Sequence, residues 1–307
     1  MPICTILLIS YNHSKFIRKS IESILEQKTD YDFIIKIFDD ASSDGTQEII
    51  KEYANKYPNK IIPYLNSKNI GAQENIWKAY NSVNTKYFAL LECDDYWNNP
   101  NRLQLQINAL ENHPECSFTS GNTMVTKFNN PRGVGELLVT NKKIVNNSII
   151  SLEDLSGLNG GYITHISSRV VRTNSIDFTN LHHREDFLYD NCQFYYLILK
   201  GKMYYFNEIF SFYNQNNQSV FTGANTDIKC RNHLENLVRF NKNTNYKAEN
   251  LIYDHLKQFL NFYRDTEKKE AKITFKKIKH YFIPRFILDI LNTPRNISRC
   301  IRKFLKK

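Results

Sequence analysis

Short apolar runs recur through the first hundred residues, and each gives way to apolar positions spaced as on one face of a helix. Cys4 to Ser10 is an almost continuous apolar run, followed by Ile17, Ile21, Ile24 and Leu25 at helical spacing. Phe33 to Phe38 repeats the run, and Ile49, Ile50, Tyr53 and Tyr57 repeat the helical pattern over residues 45–57. A third run at Ile61–Leu65 precedes a helix over 71–82, and a fourth at Tyr87–Leu91 precedes a helix over 102–112. Strands that are apolar on both faces and alternate with helices predict an α/β fold, a mainly parallel sheet flanked by helices. From about 115 to 225 the pattern is mixed. Strands are expected near 117–126, 161–171 and 203–213, around a helix at about 186–200; beyond 226 the pattern is helical. This divides the chain into a domain over 1–225 and a helical region over 226–307.

In such sheets ligands bind beyond the carboxyl ends of the strands, so the polar residues there come first. They are Tyr11-Asn12, the segment Asp39-Asp-Ala-Ser-Ser-Asp-Gly-Thr46, and Glu92-Cys-Asp-Asp95. The second is partly explained as a strand-to-helix turn capped by Ser43 or Asp44. That leaves two acids directly after the strand, able to accept hydrogen bonds from a base or a ribose. The third puts three acids in four residues at the same sheet edge. Such carboxylates repel one another unless solvated or shared with a cation. A hard divalent ion fits: it takes carboxylate oxygens and fills its shell with water and substrate phosphates.

Taken in order, Ser10-Tyr-Asn12, Asp39-Asp-x-Ser-Ser-Asp-Gly-Thr46, Asn69-x-Gly71 and Glu92-Cys-Asp-Asp95 resemble the inverting glycosyltransferase family 2 with its GT-A fold. The resemblance covers roughly residues 2–222. It implies a nucleotide-sugar donor, a UDP-sugar by default, and Mn²⁺ or Mg²⁺ on the donor diphosphate. By the same resemblance Tyr11 and Asn69 line the donor pocket, Asp40 pairs with the base, Asp94 holds the ribose and Asp95 ligates the metal. Glu92 stands where the family often has Asp. In Arg184-Glu185-Asp186, expected to open the 186–200 helix, the resemblance makes Asp186 the general base on the acceptor hydroxyl and Glu185 its fallback. The segment Tyr213 to Ser219 resembles the family's Tyr-Arg-x-His-x-x-Ser, with Asn214 for Arg and Asn216 for His. His182-His183 reads as a solvated loop pair, His165 as a packing or acceptor-lining residue, and Trp97 as a core or wall aromatic.

Charge adds one feature. Of 41 Lys and Arg and 31 Asp and Glu, residues 264–307 hold 14 and 4, which leaves 27 of each sign in residues 1–263. The excess of +10 therefore sits in a tail that mixes basic and apolar residues, broken at Pro284 and Pro294. A basic amphipathic segment suits an anionic membrane surface; without a nucleic-acid module beside it, no nucleic-acid partner is expected. No window approaches the ~20 apolar residues of a membrane span. The N-terminal segment is expected to be a strand rather than a signal peptide. The six scattered cysteines show no metal or disulfide spacing. Together with the resemblance, these features give an enzyme of surface polysaccharide assembly, cytoplasmic and peripheral on the inner membrane face, acting on a glycan or lipid-linked glycan. The competing reading is a non-catalytic nucleotide-sugar or membrane-surface binding protein of the same fold, for which Asn214 and Asn216 speak.

Overall fold

The computed structural model describes residues 1–127, 135–138, 144, 147–155, 163–178, 187–215, 236, 237, 239–249, 251 and 252. The predicted alternation is present: β1 (Cys4–Ser10), α1 (Ile17–Leu25), β2 (Phe33–Asp39), α2 (Thr46–Lys56), β3 (Ile61–Leu65), α3 (Ala72–Asn81) and β4 (Tyr87–Glu92). β1 pairs in parallel with β2 and β4, and β2 with β3. Then come β5 (Tyr96–Trp97), α4 (Arg102–Asn112), β6 (Cys116–Lys127), β7 (Glu136–Leu137), β8 (Ser148–Ile150), α5 (Leu152–Leu155), β9 (Val170–Arg172), α6 (Asp190–Lys200) and β10 (Lys202–Gln215). The main path of the sheet is β3-β2-β1-β4-β9-β6-β10-β5. β9 runs antiparallel to both β4 and β6, so the later half of the sheet is mixed.

Alternation along the central strands builds two cores. Cys4, Ile6 and Leu8 face a cluster with Ile17, Ile21 and Ile24 of α1, Ile50 and Tyr53 of α2, and Leu103 and Ile107 of α4. Leu7, Phe88 and Leu90 face the other way, into a cluster with Ala79 and Tyr80 of α3 and Phe194 and Leu197 of α6. Leu237, Phe240, Leu251 and Ile252 join that second cluster, with the Phe240 ring 6.2 Å from Tyr195. Each fully buried aliphatic side chain contributes about 1.5–3 kcal/mol. The faces of β1 therefore fix the register, because a one-residue slip would exchange them. Among the described residues, no helix is long and apolar enough to cross a membrane.

Two expectations change. Among the described residues of the strand expected over 161–171, strand is found at Val170–Arg172, preceded by a 3₁₀ turn at Ile166–Ser168. Side chains take the backbone bonds a strand would need: His165 Nδ1 accepts from the Ser167 N–H, and Ser168 Oγ donates to the His165 carbonyl at 2.8 Å. The helix expected from 186 begins at Asp190, and Tyr189 before it is extended. His182, His183, Glu185, Asp186, Asn216 and the basic tail lie outside the described residues.

Candidate donor and metal site

Register brings the candidate loops together. Ser10 pairs with Asp39, Asp39 with Leu65, and Ile9 with Glu92, so β1, β2, β3 and β4 end at one edge. The polar residues after β2 then stitch that edge. Asn12 has a left-handed φ of 56°. Its N–H donates to Ser42 Oγ at 2.8 Å, and its side-chain oxygen accepts from the Ser43 N–H at 3.0 Å. Asp44 accepts from the N–H groups of Ser14 and Thr46 at 3.0 and 3.1 Å. Gly45, at φ 94°, allows the turn into α2. Burial alone would raise the Asp44 carboxyl, but these bonds hold it at about 2. Asp39 is wholly buried and accepts from Ser42 and Gln47, so its carboxylate shapes the turn.

Asp40 organises the neighbouring loop. Its carboxylate accepts from the N–H groups of Ile70 and Gly71, both at 2.8 Å, and from Asn66 Nδ2 at 3.0 Å. Asn69 reinforces the same loop, donating to the Asp40 carbonyl and accepting from Gly71 N–H. A carboxylate has about four acceptor positions, so one of Asp40's stays available beside the Asn-x-Gly turn. Tyr11 stands at the rim, 49% exposed.

The acidic loop after β4 holds the densest chemistry. Ser20 Oγ on α1 donates to the carbonyls of Cys93 and Asp95, at 2.9 and 2.5 Å, and anchors the loop. Glu92 and Asp94 are half-buried, whereas Asp95 is 1% exposed. Asp95 Oδ2 accepts from Ser167 Oγ at 2.6 Å, and Oδ1 accepts from the Asn214 N–H at 3.1 Å. Nδ1 of buried His165 lies 3.5 Å from Asp95 Oδ2, and its ring stacks on Tyr213 at 4.6 Å. One ligand atom from each of Glu92, Asp95 and His165 falls within 4.8 Å of the others.

The electrostatics of this cluster suit a cation. Burial pushes Glu92 well above the usual carboxylate range, and Asp94, Asp95 and Asp190 push the same way. Burial also raises Asp95, reinforced by Asp94 and opposed by the bonds from Ser167 and Asn214. Burial lowers His165 to about 4, with Asp190 opposing and Arg169 assisting. The imidazole is therefore neutral at physiological pH, the state that ligates metals. Protons shared among crowded carboxylates are what a divalent ion displaces. Each Asp95 oxygen accepts one of these hydrogen bonds and keeps a second acceptor position. Neighbouring ligands around an octahedral ion sit roughly 3 Å apart, so the three would draw together only slightly.

His165 thus belongs to the acid cluster, not to packing alone. A single histidine 70 positions beyond Asp95 carries no spacing signal; only the turn at Ile166–Ser168 brings it back. Asn214 contributes through its backbone N–H, so replacing the family's arginine leaves that contact intact. Trp97 is buried, with its indole N–H on the Ser167 carbonyl and the Arg102 guanidinium 3.9 Å above its ring. Asp190, half-buried at the start of α6, was not singled out in the sequence, and its charge acts on both Glu92 and His165. Buried Arg169 holds that helix start against the His165 segment. It donates to the Asp190 carbonyl and Gln193 Oε1, each at 2.9 Å, and to Thr164 Oγ1 at 2.9 Å.

Known proteins share this fold. S. aureus TarS, crystallised with UDP-GlcNAc, superposes with a TM-score of 0.61 at 16% identity over 86% of this chain and 73% of that one. The mannosyltransferase PcManGT of Pyrobaculum calidifontis, in complex with GDP-Man and Mn²⁺, gives 0.56 at 13% identity over 92% and 81%. Both likenesses are of fold, and both support the GT-A architecture. The uncharacterized glycosyltransferase MJ1057 of Methanocaldococcus jannaschii is 37% identical over 119 residues, 38% of this chain and 40% of that protein. Among the first curated relatives the matched stretch spans between 33% and 45% of their length. Residues 5–169, which are 165 of the 307, match the family model described as Glycosyl transferase family 2. With more than half its length in that match, the chain belongs to glycosyl transferase family 2.

Proposed function

We propose that the chain is an inverting glycosyltransferase that moves a sugar from a nucleotide-sugar, by default a UDP-sugar, to a hydroxyl of a glycan or lipid-linked glycan. One observation carries the reading: Glu92, Asp95 and His165 form a cation-ready cluster beside Asp94 and Asp40 at the carboxyl edge of the parallel strands. Solved relatives of the same fold carry UDP-GlcNAc in one case and GDP-Man with Mn²⁺ in another. Here Glu92, Asp95 and His165 would hold Mn²⁺ or Mg²⁺, and the imidazole favours the transition metal. When bound, that ion stabilises the charge developing on the departing diphosphate. The free acceptor position of Asp40 is assigned to the base, Asp94 to the ribose, and exposed Tyr11 and Asn69 to the walls of the pocket.

Inversion needs a base that takes the acceptor's proton from the side opposite the leaving group. The resemblance places it at Asp186, with Glu185 the fallback, both outside the described residues. Asp190, which opens α6 and whose charge bears on the cluster, is the alternative. Nucleotide release from a panel of sugar donors, with Mn²⁺ or Mg²⁺ and with EDTA, tests the whole reading.

Residues 264–307 supply the charge for an anionic membrane surface, and the proposed place of action is the inner face of the cell membrane. The full chain is expected to float with vesicles rich in anionic lipid and not with zwitterionic ones, and to lose this at high salt. Equal flotation with both would end the membrane proposal.

A further inference from the structure

His13 lies where two acidic loops meet. It follows β1, and its N–H donates to Thr46 Oγ1 at the start of α2 at 2.9 Å. Its ring is half-buried, and Nδ1 is enclosed without a hydrogen-bond partner. Leaving such a nitrogen unpaired costs about 1–3 kcal/mol. Burial favours the neutral ring, while Asp94 from the loop after β4, and Asp44 and Asp39 from the loop after β2, favour the charged one. Asp44 and Asp39 are already bonded to the N–H groups of Ser14, Thr46 and Ser42. The rim is therefore rich in negative charge at the place where, on the reading above, a diphosphate must enter.

We propose that His13 is a ligand of the donor diphosphate, neutral while the pocket is empty and protonated by uptake from solvent when the donor binds. This rests on the glycosyltransferase reading. A metal ion among Glu92, Asp95 and His165 offsets charge on one side of the diphosphate, and the imidazolium offsets it on the side of α1 and α2. An added anion beside a ring that burial keeps neutral against the pull of three carboxylates draws a proton onto it. Proton and donor then help each other bind, by reciprocal linkage. The sign follows: donor affinity falls as pH rises through the range where the ring of the complex gives up that proton, by up to about tenfold per pH unit.

The test is calorimetric titration of the full chain with UDP-glucose, UDP-N-acetylglucosamine and GDP-mannose at saturating Mn²⁺. Two buffers of different ionisation enthalpy report the protons exchanged. These diesters do not titrate near neutrality, so uptake reports the protein. The wild type is expected to take up a substantial fraction of one proton. His13→Gln should bind without that uptake, several-fold more weakly at pH 6.5 and nearly equally at pH 8.5; His13→Asn should behave alike and guards against a folding defect in one variant. Equal uptake in wild type and variants, or none in the wild type, overturns the proposal and leaves the glycosyltransferase reading standing. Failure of every donor to bind the wild type overturns both.

Discussion

Asparagine in place of Asp95 is expected to lower metal-dependent sugar transfer by about 10²–10³-fold while the fold survives. The change keeps the size of the side chain and leaves an oxygen that can still accept from the Asn214 N–H, at 3.1 Å in the native chain. It removes the charge that stands 3.5 Å from His165 and closes the cluster. The amide also brings two N–H donors into a buried space where a cation must sit, so the loss falls on the metal rather than on folding. Turnover measured across a Mn²⁺ titration, with the thermal transition followed by circular dichroism, separates the two. Alanine would be worse for a different reason: it orphans Ser167 Oγ and the Asn214 N–H and should cost about 1–3 kcal/mol of stability as well. Full activity of Asp95→Asn with ordinary metal dependence would end the assignment.

The second large effect concerns the base. Asp186→Asn is expected to reduce kcat by about 10²–10⁴-fold with donor KM little changed, because a general base acts on the acceptor's proton and not on donor binding. Asp190→Asn should lose far less. Asp190 opens α6, and Arg169 clamps its carbonyl to the segment that carries His165. Asp190→Asn also removes a charge that raises Glu92, so a modest shift in metal affinity is read in the same experiment. The opposite ranking, with Asp190→Asn inactive and Asp186→Asn near wild type, would move the base to the later acid.

Some of this was legible in the sequence and some was not, for identifiable reasons. The strands from Cys4 to Glu92 are apolar on both faces, and no other common element explains such runs broken by helical spacing. That order also places Asp40, Asp94 and Asp95 at one edge before any side chain is seen. The half beyond Cys116 is less readable because, apart from the parallel pair β6 and β10, its strands pair antiparallel, out of chain order, and several are only two or three residues long. His165 was hidden by distance along the chain. The start of α6 was misplaced by four positions because Phe187 and Leu188 extend its apolar pattern, although Tyr189 is extended. The doublet Asp39-Asp40 splits into a turn-building acid and a loop-building acid, a distinction made by which backbone N–H groups each one meets.

The central claim is that Glu92, Asp95 and His165 serve a metal-dependent sugar-transfer site. The most direct measurement is nucleotide release from UDP-, GDP- and dTDP-sugars, with Mn²⁺ or Mg²⁺, with EDTA, and with EDTA followed by excess Mn²⁺. At least one donor should release nucleotide with metal, lose that release in EDTA and regain it when Mn²⁺ is restored. Release untouched by EDTA, or donor binding without release across the panel, would contradict the claim.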